Sequence, residues 1–397
     1  MTQLIQKLKQ FLPAEVQVAT EGNLLRLLTA EGKPCGIVDV DENENLIGFD
    51  LQMMLPDEEG SDARVLAQQF AAAFYPEAAE VIQQDYAAQS QSTLIRLAEK
   101  DAVHHLPIPG AGLAVEIHDS GFVTAAQLYR NTYTLIDSDE LIDVTEAKQK
   151  LLAETPIVVA VEGGSTLYKL SDQAIGVHAD GTVLFTELPP VLADIEAADD
   201  HKDWASLMGI TKDFVNYYNE DGVQLWAEKD LVDNQPINEI PDQVTVRKNE
   251  EVQFYSGATP WNKDRRYTEE ELKQQAVLFL SAVTDQPLGE WKHAGEQLAP
   301  DASIEDELEP AYIFLFAYTK SGISVEGVEA SIHVGIYSGL IRECIVDRVP
   351  DAVKAKKQLI FSEQAKQQLD DLLQLELAWV ELQEASQYEL VYVRTDR

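Results

Sequence analysis

The chain has 397 residues, of which 45% are hydrophobic, and its 69 acidic residues outnumber its 30 basic residues to give a net charge of −39. Because a field of that sign repels nucleic acid and anionic lipid, we expect neither as a partner. The two cysteines, Cys35 and Cys344, cannot build a disulfide framework or a four-thiolate zinc site, so we expect two buried free thiols.

The N-terminal region predicts a short amphipathic helix followed by an antiparallel meander. Leu4, Leu8 and Phe11 fall at helical spacing before Pro13. Turn residues then separate strand-like runs at 15–19, 24–29, 36–40 and 46–51. The first residues lack the apolar core of a signal peptide, and no apolar run reaches membrane-spanning length. We therefore expect a cytoplasmic protein without membrane insertion.

The remainder of the first half predicts two helices and several strand pairs. The helices fall at about 62–74 and 145–153. Between them, a strand over 113–118 turns at Asp119-Ser120-Gly121 into a second strand over 122–128. Further strand-like runs lie at 93–97, 157–161, 167–170, 174–178 and 182–185.

The second half predicts the same kinds of element after an acidic helical connector over 191–220. Helices are expected at 268–283 and 362–373. The strand-like runs lie at 223–227, 243–246, 252–255, 311–318, 328–334, 340–346, 375–380 and 388–393.

Short sequence matches relate the two halves in the same order along the chain. Ile117-His118 matches Ile332-His333, and Ala147-Lys148-Gln149-Lys150-Leu151 matches Ala365-Lys366-Gln367-Gln368-Leu369. Residues 38–44 match 244–250, and 66–69 match 272–275. Such self-similarity predicts two tandem units, residues 1–190 and residues 191–397, the second beginning with the connector.

These elements resemble a known family. A hairpin with a Gly turn, a helix of the form (T/S)-x-x-A-K-x-x-L and a closing strand pair resemble the YcdB/YcdC repeat domain of Gram-positive bacteria. That domain is similar to the PepSY domains in propeptides of thermolysin-type proteases. The residues that carry the resemblance are 112–128 with 144–161 and 327–346 with 361–380. The resemblance implies an α+β fold of two tandem repeats, with helices packed on antiparallel sheets in the PepSY/cystatin manner. It also implies binding or inhibition rather than catalysis.

The residue types that could carry chemistry do not form a known catalytic or ligand motif. His104-His105 has no acidic residue at ligand spacing, so we interpret the pair as a solvated loop. His118 and His333 match each other, which indicates a shared structural position on a sheet. Asp39–Asn45 lacks the glycine of a calcium loop, so a hairpin turn is expected there. We therefore predict no catalytic residues, no cofactor and no metal.

Four tryptophans, Trp204, Trp226, Trp261 and Trp291, lie in the middle of the chain and could form either a recognition patch or core and interface packing. The function we predict is non-catalytic binding or regulation of a protein partner, a protease being one such partner. The alternatives are a hydrolase with an unrecognised active site and a structural module of a larger assembly.

Overall fold

The computed structural model describes residues 2–21, 24–56, 60, 62–77, 80–130, 132–138, 141–196, 203–236, 239–240, 243–248, 251–256, 259, 261–298, 309–360, 362–381 and 386–395. Strands hold 46% of these residues and helices 20%. The predicted fold class, an α+β protein of helices packed on antiparallel sheets in the PepSY/cystatin manner, is therefore wrong. The chain is mainly β and forms three sheets, and the helices are a minor part of the fold.

The first sheet has eight antiparallel strands built from the first third of the chain. They are β1 (Gln17–Glu21), β2 (Leu24–Leu28), β3 (Pro34–Val40), β4 (Leu46–Leu51), β5 (Glu80–Ala87), β6 (Ser92–Lys100), β7 (Pro107–His118) and β8 (Phe122–Arg130). Their order across the sheet is β1-β2-β3-β4-β8-β7-β6-β5. The helices α1 (Thr2–Leu8) and α2 (Ala63–Phe74) contribute buried side chains to its core.

The third sheet draws five strands from both halves of the chain. They are β9 (Thr134–Ile136), β12 (Ala174–His178), β13 (Val183–Phe185), β23 (Leu375–Glu381) and β24 (Gln387–Arg394). The order is β13-β12-β24-β23, and β9 pairs in parallel with β24.

The second sheet has eleven strands. They are β10 (Ile157–Glu162), β11 (Ser165–Leu170), β14 (Ala193–Asp194), β15 (Phe214–Glu220), β16 (Val223–Glu228), β17 (Val244–Lys248), β18 (Glu251–Tyr255), β19 (Trp291–Leu298), β20 (Ala311–Lys320), β21 (Ile323–Gly335) and β22 (Ile341–Asp347). The main path is β14-β19-β20-β21-β22-β18-β17-β16-β15, and β10 joins it by parallel pairing with β21. The helix α6 (Glu269–Val283) covers this sheet, with Leu272 and Phe279 fully buried.

The first and second sheets have the same strand order. A four-strand meander comes first, and the last meander strand pairs with the second strand of a long hairpin. Across each sheet, two more antiparallel strands lie beyond the hairpin. They are β6 and β5 in the first sheet and β20 and β19 in the second, so that β5 and β19 occupy corresponding positions. The helices fit the same correspondence, because Leu66 is the fourth residue of α2 and Leu272 the fourth residue of α6, and both are buried.

The matched histidines are displaced by two residues in this correspondence. His118 pairs with Phe122 directly before the turn between β7 and β8. In the second sheet, Gly335 holds that place, since its amide donates to the carbonyl of Leu340, and His333 lies two residues earlier. The predicted equivalence of His118 and His333 is therefore wrong in register. Both still lie on the same face of their strands, because a shift of two residues preserves the face.

Two matched helices meet at the centre of the molecule. They are α3 (Val144–Glu154) and α8 (Ser362–Asp370), whose fourth residues, Ala147 and Ala365, are both fully buried in one shared apolar core. The hairpin β10–β11 follows α3 yet packs under α8, while β23 follows α8 yet packs under α3. The strand pair that follows each helix thus joins the other half of the chain, and strands cross the predicted boundary at residue 190.

The described part of residues 191–220, which are predicted as a helical connector, contains little helix. The described part holds β14, the four-residue helix α4 (Trp204–Leu207) and β15. Two more short helices, α5 (Lys229–Asn234) and α7 (Asp351–Lys354), complete the described α-helices. No helix within the described ranges combines the length and the apolar character that crossing a bilayer requires.

Candidate functional site

An open groove lies between β11 and the C-terminal end of α8. It encloses about 520 Å³ and has an apolar floor beside a polar rim. The floor is formed by Leu167, Tyr168, Leu170, Leu369, Leu372 and Leu373. The rim is formed by Glu162, Lys169, Asp172 and Arg394. We call this the β11–α8 groove.

The end of α8 explains why apolar side chains remain open in the groove. Helix α8 ends at Asp370, and in the turn that follows it Leu373 enters the core while Leu372 is 67% exposed. Both residues donate backbone hydrogen bonds to the carbonyl of Leu369, at 3.1 Å for Leu372 and 2.9 Å for Leu373. These bonds fix Leu372 at the groove, next to the half-buried Leu369.

The charged rim of the groove is largely neutralised by its own contacts. The Lys169 ammonium lies 2.9 Å from the carboxylates of both Asp172 and Glu326. Burial alone would lower the pKa of Lys169, but these two carboxylates outweigh burial and raise it. Arg394 donates to the carbonyl of Ser171. A ligand would therefore gain most from the apolar floor.

A second, polar groove of about 640 Å³ lies between α3 and α8. Lys148 reaches Asp370 across it at 3.4 Å, and Lys366 donates to the carbonyl of Ala153 at 3.3 Å. The two lysines thus lie along the edge of the shared core. Their contacts tie the helices together, which indicates a structural role.

The histidines at the join of the first and third sheets pair with carboxylates. His104 Nε2 lies 3.0 Å from Asp137, and His178 Nδ1 lies 2.8 Å from Glu389. The prediction of a solvated loop at His104-His105 is thus wrong for His104. His105 adopts a left-handed conformation with φ of 58°, as in a tight turn.

Asp101 organises that same loop. Its carboxylate accepts hydrogen bonds from the amides of Val103, His104 and Leu106 and from Trp379 Nε1 of β23 at 3.0 Å. Burial alone would raise the pKa of Asp101, but these four bonds outweigh it and lower the pKa to about 2. Asp101 therefore connects the first sheet to the third.

A buried ion pair holds the hairpin turn of the second sheet. The Glu309 side chain is fully buried, and it accepts hydrogen bonds from the amides of Tyr337 and Ser338 and from the Arg342 guanidinium at 2.6 Å. Arg342 also donates to the carbonyls of Ser256 and Thr259. The donors and acceptors of this pair are engaged within the protein, which indicates a structural role.

The four tryptophans do not form one surface. Trp291 is fully buried against Tyr318, Trp204 packs on Phe254 beneath the Lys248 ammonium, and Trp261 stacks on Tyr337 with ring centroids 5.6 Å apart. Trp226 is half-buried in β16. Packing at separate places, the second alternative for these residues, is what the structure shows.

Three smaller expectations can be compared with the structure. Asp41 accepts from the amides of Asn43 and Asn45, which confirms the hairpin turn over residues 39–45. The Asn45 side chain and these amides lower the pKa of Asp41. Cys35 and Cys344 are buried free thiols, as expected, and burial raises the pKa of both.

The residues of the β11–α8 groove were not predicted as a site from the sequence. In the described part of the chain, no three His, Cys, Asp or Glu side chains are arranged to hold a metal ion. The absence of a cofactor or catalytic residue stays a prediction. The β11–α8 groove combines residues about 200 positions apart, and its one local signal is the Leu372-Leu373 pair after an acidic helix end.

Comparisons with known proteins give a weak likeness to a solved structure. No protein family and no curated protein matches the chain. Among solved structures, it is similar to the C-terminal domain of YpeB from Bacillus megaterium, with 9% sequence identity and a TM-score of 0.25. The likeness covers 87% of this chain and 96% of that one. At this level the YcdB/YcdC and PepSY resemblance stays a prediction.

Proposed function

We propose that this chain is a non-catalytic binding protein that takes an extended segment of a partner protein in the β11–α8 groove. The observation that carries the proposal is Leu372, which lines the groove and is 67% exposed among its apolar residues. Exposed apolar side chains that are grouped, rather than scattered, are typical of interaction sites. Fully burying one leucine contributes roughly 1.5–3 kcal/mol, so a few such contacts can support binding.

The shape and charge of the groove favour a peptide segment. The floor is open along α8, which suits side chains that enter from an extended chain better than an enclosed small molecule. The rim carries two basic and two acidic residues, of which Lys169, Asp172 and Arg394 already have partners, so polar groups would orient the segment without dominating its affinity.

The displaced pKa values support binding rather than catalysis. Glu99 accepts hydrogen bonds from Tyr75 and Tyr133, and the pKa of each tyrosine is raised to about 12. Burial is the main cause at Tyr75, and the hydrogen bond to Glu99 is the main cause at Tyr133. These groups and Asp101 lie in networks between elements, away from the β11–α8 groove, as structural hydrogen-bond networks do.

The groove can be tested with a displayed library of random peptides selected on the full chain. Peptides that enrich should carry apolar residues, and Leu372→Asp should weaken them at least tenfold. Leu188→Asp is the matched control, because Leu188 is 83% exposed and lies outside the groove. Enriched peptides that bind both variants equally, or no enrichment at all, would refute the proposed site.

A regulated protease is the partner class that we propose within this function. Excess protein should change the rate of at least one metalloprotease in a panel, and Leu372→Asp should abolish that change. Unchanged rates across the panel would exclude this partner class and would leave the groove to other protein partners.

A further inference from the structure

The first sheet ends at β5 with an open edge. In the part of the chain that the structure describes, β5 pairs with β6 alone, and Val81 is the one strand residue that is not exposed. Natural edge strands are blunted by lysine, proline or a covering segment, and β5 contains neither lysine nor proline. A bulge occurs at Ile82, but Gln83–Ala87 pair regularly with β6. This stretch therefore offers a regular row of backbone donors and acceptors.

The corresponding edge of the second sheet is covered by the chain itself. β14 pairs with β19, placing Ala193 opposite His293 and Asp194 opposite Lys292. The Lys292 ammonium lies 2.6 Å from the Asp194 carboxylate. β19 also has a bulge, between His293 and Gly295, so the two edges share their local geometry. The difference between them is the covering strand.

We propose that a second copy of this chain covers β5, through antiparallel pairing of the two β5 strands about a twofold axis at Gln84. A strand pair with this symmetry places Gln84 opposite Gln84 of the second copy and Asp85 opposite Gln83. No two charged residues then face each other. An axis at Asp85 would oppose two carboxylates, and an axis at Gln83 would place Tyr86 opposite Glu80 and Asp85 opposite Val81, so that the exposed apolar side chains would no longer face each other.

The exposed apolar residues of β5 fit this register. Ile82 is 49% exposed and Tyr86 is 60% exposed, and the pairing brings Tyr86 of each copy beside Ile82 of the other. The Tyr86 hydroxyl donates to the Asp119 carboxylate at 3.0 Å, which holds the ring in place before association. A side chain fixed in advance loses less conformational entropy on binding.

Charge also favours this surface for self-association. A net charge of −39 opposes contact between two copies over most of the surface. Residues 86–95 contain no charged residue, and Asp85 is the one acid between Gln83 and Ile95. This stretch therefore adds little charge to the contact beyond Asp85 and the Asp119 carboxylate that Tyr86 binds, and salt should strengthen the association by screening the remaining repulsion.

Sedimentation equilibrium of the full chain tests this dimer. The chain mass is 44.2 kDa, so the wild type should reach twice that mass as concentration rises, and more readily at high salt. Gln84→Asp and Gln84→Lys should each remain at 44.2 kDa, because like charges meet at the axis. An equal mixture of the two variants should form the dimer again, because the charges are then opposite.

Gln17→Asp is the matched control, since Gln17 is exposed on β1 at the other edge of the same sheet, and this variant should dimerise as the wild type does. Thermal unfolding of each variant shows that the fold is kept. A monomeric wild type at all concentrations would overturn the proposal. So would a dimer that tolerates Gln84→Asp, or variants that fail to recombine.

Discussion

The first and second sheets place eight strands in the same order and then differ at their ends. The second sheet is completed by the chain itself, since β14 covers one edge strand and β10–β11 pairs with β21. Within the described residues, the first sheet ends at β5, which pairs with β6 alone, and this sheet reaches the third sheet through side chains such as Asp101 and Trp379. The two sheets thus share a topology but differ in the side-chain contacts at their turns, helices and edges. Each of these differences can be measured.

The hairpin turns should show the largest difference. Arg342→Met should lower the free energy of unfolding by about 3–5 kcal/mol, because it leaves the fully buried Glu309 carboxylate without its partner. The turn of the first sheet is held by Ser120, which contacts His118 Nδ1 at 2.8 Å. Ser120→Ala should therefore lower the free energy of unfolding by no more than about 1 kcal/mol. Urea titration of both variants measures the two costs. Equal costs for the two variants would show that the turns are held alike.

The matched helices should differ less. Leu151 is fully buried, and Leu151→Ala should cost about 2–5 kcal/mol. Leu369 is half-buried at the groove, so Leu369→Ala should cost about 1–2 kcal/mol. This is less than the cost of Leu151→Ala, although the sequence match aligns the two leucines. Lys366→Gln, at the edge of the shared core, should stay within about 0.5 kcal/mol, because the bond of Lys366 to the carbonyl of Ala153 is exposed to solvent. A larger loss for Leu369→Ala than for Leu151→Ala in chemical denaturation would contradict the burial seen here.

Asp101 provides a pH-dependent link that is specific to the first sheet. Its pKa in the folded protein is about 2, below the ordinary value of 3.8, so the link contributes stability above pH 4 and loses it as the pH falls towards 2. Asp101→Asn should cost about 2 kcal/mol at neutral pH. The variant should also lose less stability than the wild type between pH 4 and pH 2. If the wild type and the variant lose equal stability between pH 4 and pH 2, Asp101 is excluded as the cause.

Both sheets hold tyrosines on half-buried carboxylates, and the smallest effect concerns these contacts. In the first sheet, the pKa of Tyr75 and Tyr133 is raised to about 12, so their contribution is present below pH 10 and is lost as the pH rises through 12. Glu290 raises the pKa of Tyr318 in the second sheet in addition to burial. Glu99→Gln should let tyrosinate absorbance appear at lower pH for two tyrosines, and an unchanged titration would disprove the assignment.

Sequence patterns located most of the elements but not their arrangement. The helices were found because apolar residues recur at helical spacing, and the fourth residue matches in α2 with α6 and in α3 with α8. The corresponding edge strands β5 and β19 were both missed. β5 is exposed on both faces, so it lacks the alternation that marks a half-buried strand. Overlooking such strands is one reason why the helical share of the fold was overestimated.

The exchanged strand pairs could not be derived from local patterns. The run over 157–161 predicts a strand but contains nothing that selects β21 as its parallel neighbour, since pairing depends on contacts far along the chain. The β11–α8 groove depends on that exchange, because β11 reaches α8 only through it. The sequence therefore shows Leu372 as an apolar residue after a helix, but it does not indicate which residues surround it.

The most direct measurement of the interlocked arrangement is hydrogen exchange by mass spectrometry on the full chain carrying Leu151→Ala. Leu151 lies in a core shared by residues from both halves, including Ile323, Ala365 and Tyr392. We predict that the substitution lowers amide protection in β10–β11 and in β23–β24 by similar factors, with Leu188→Asp as an unaffected control. A loss of protection confined to residues before 190 would contradict the exchange of strands between the two halves.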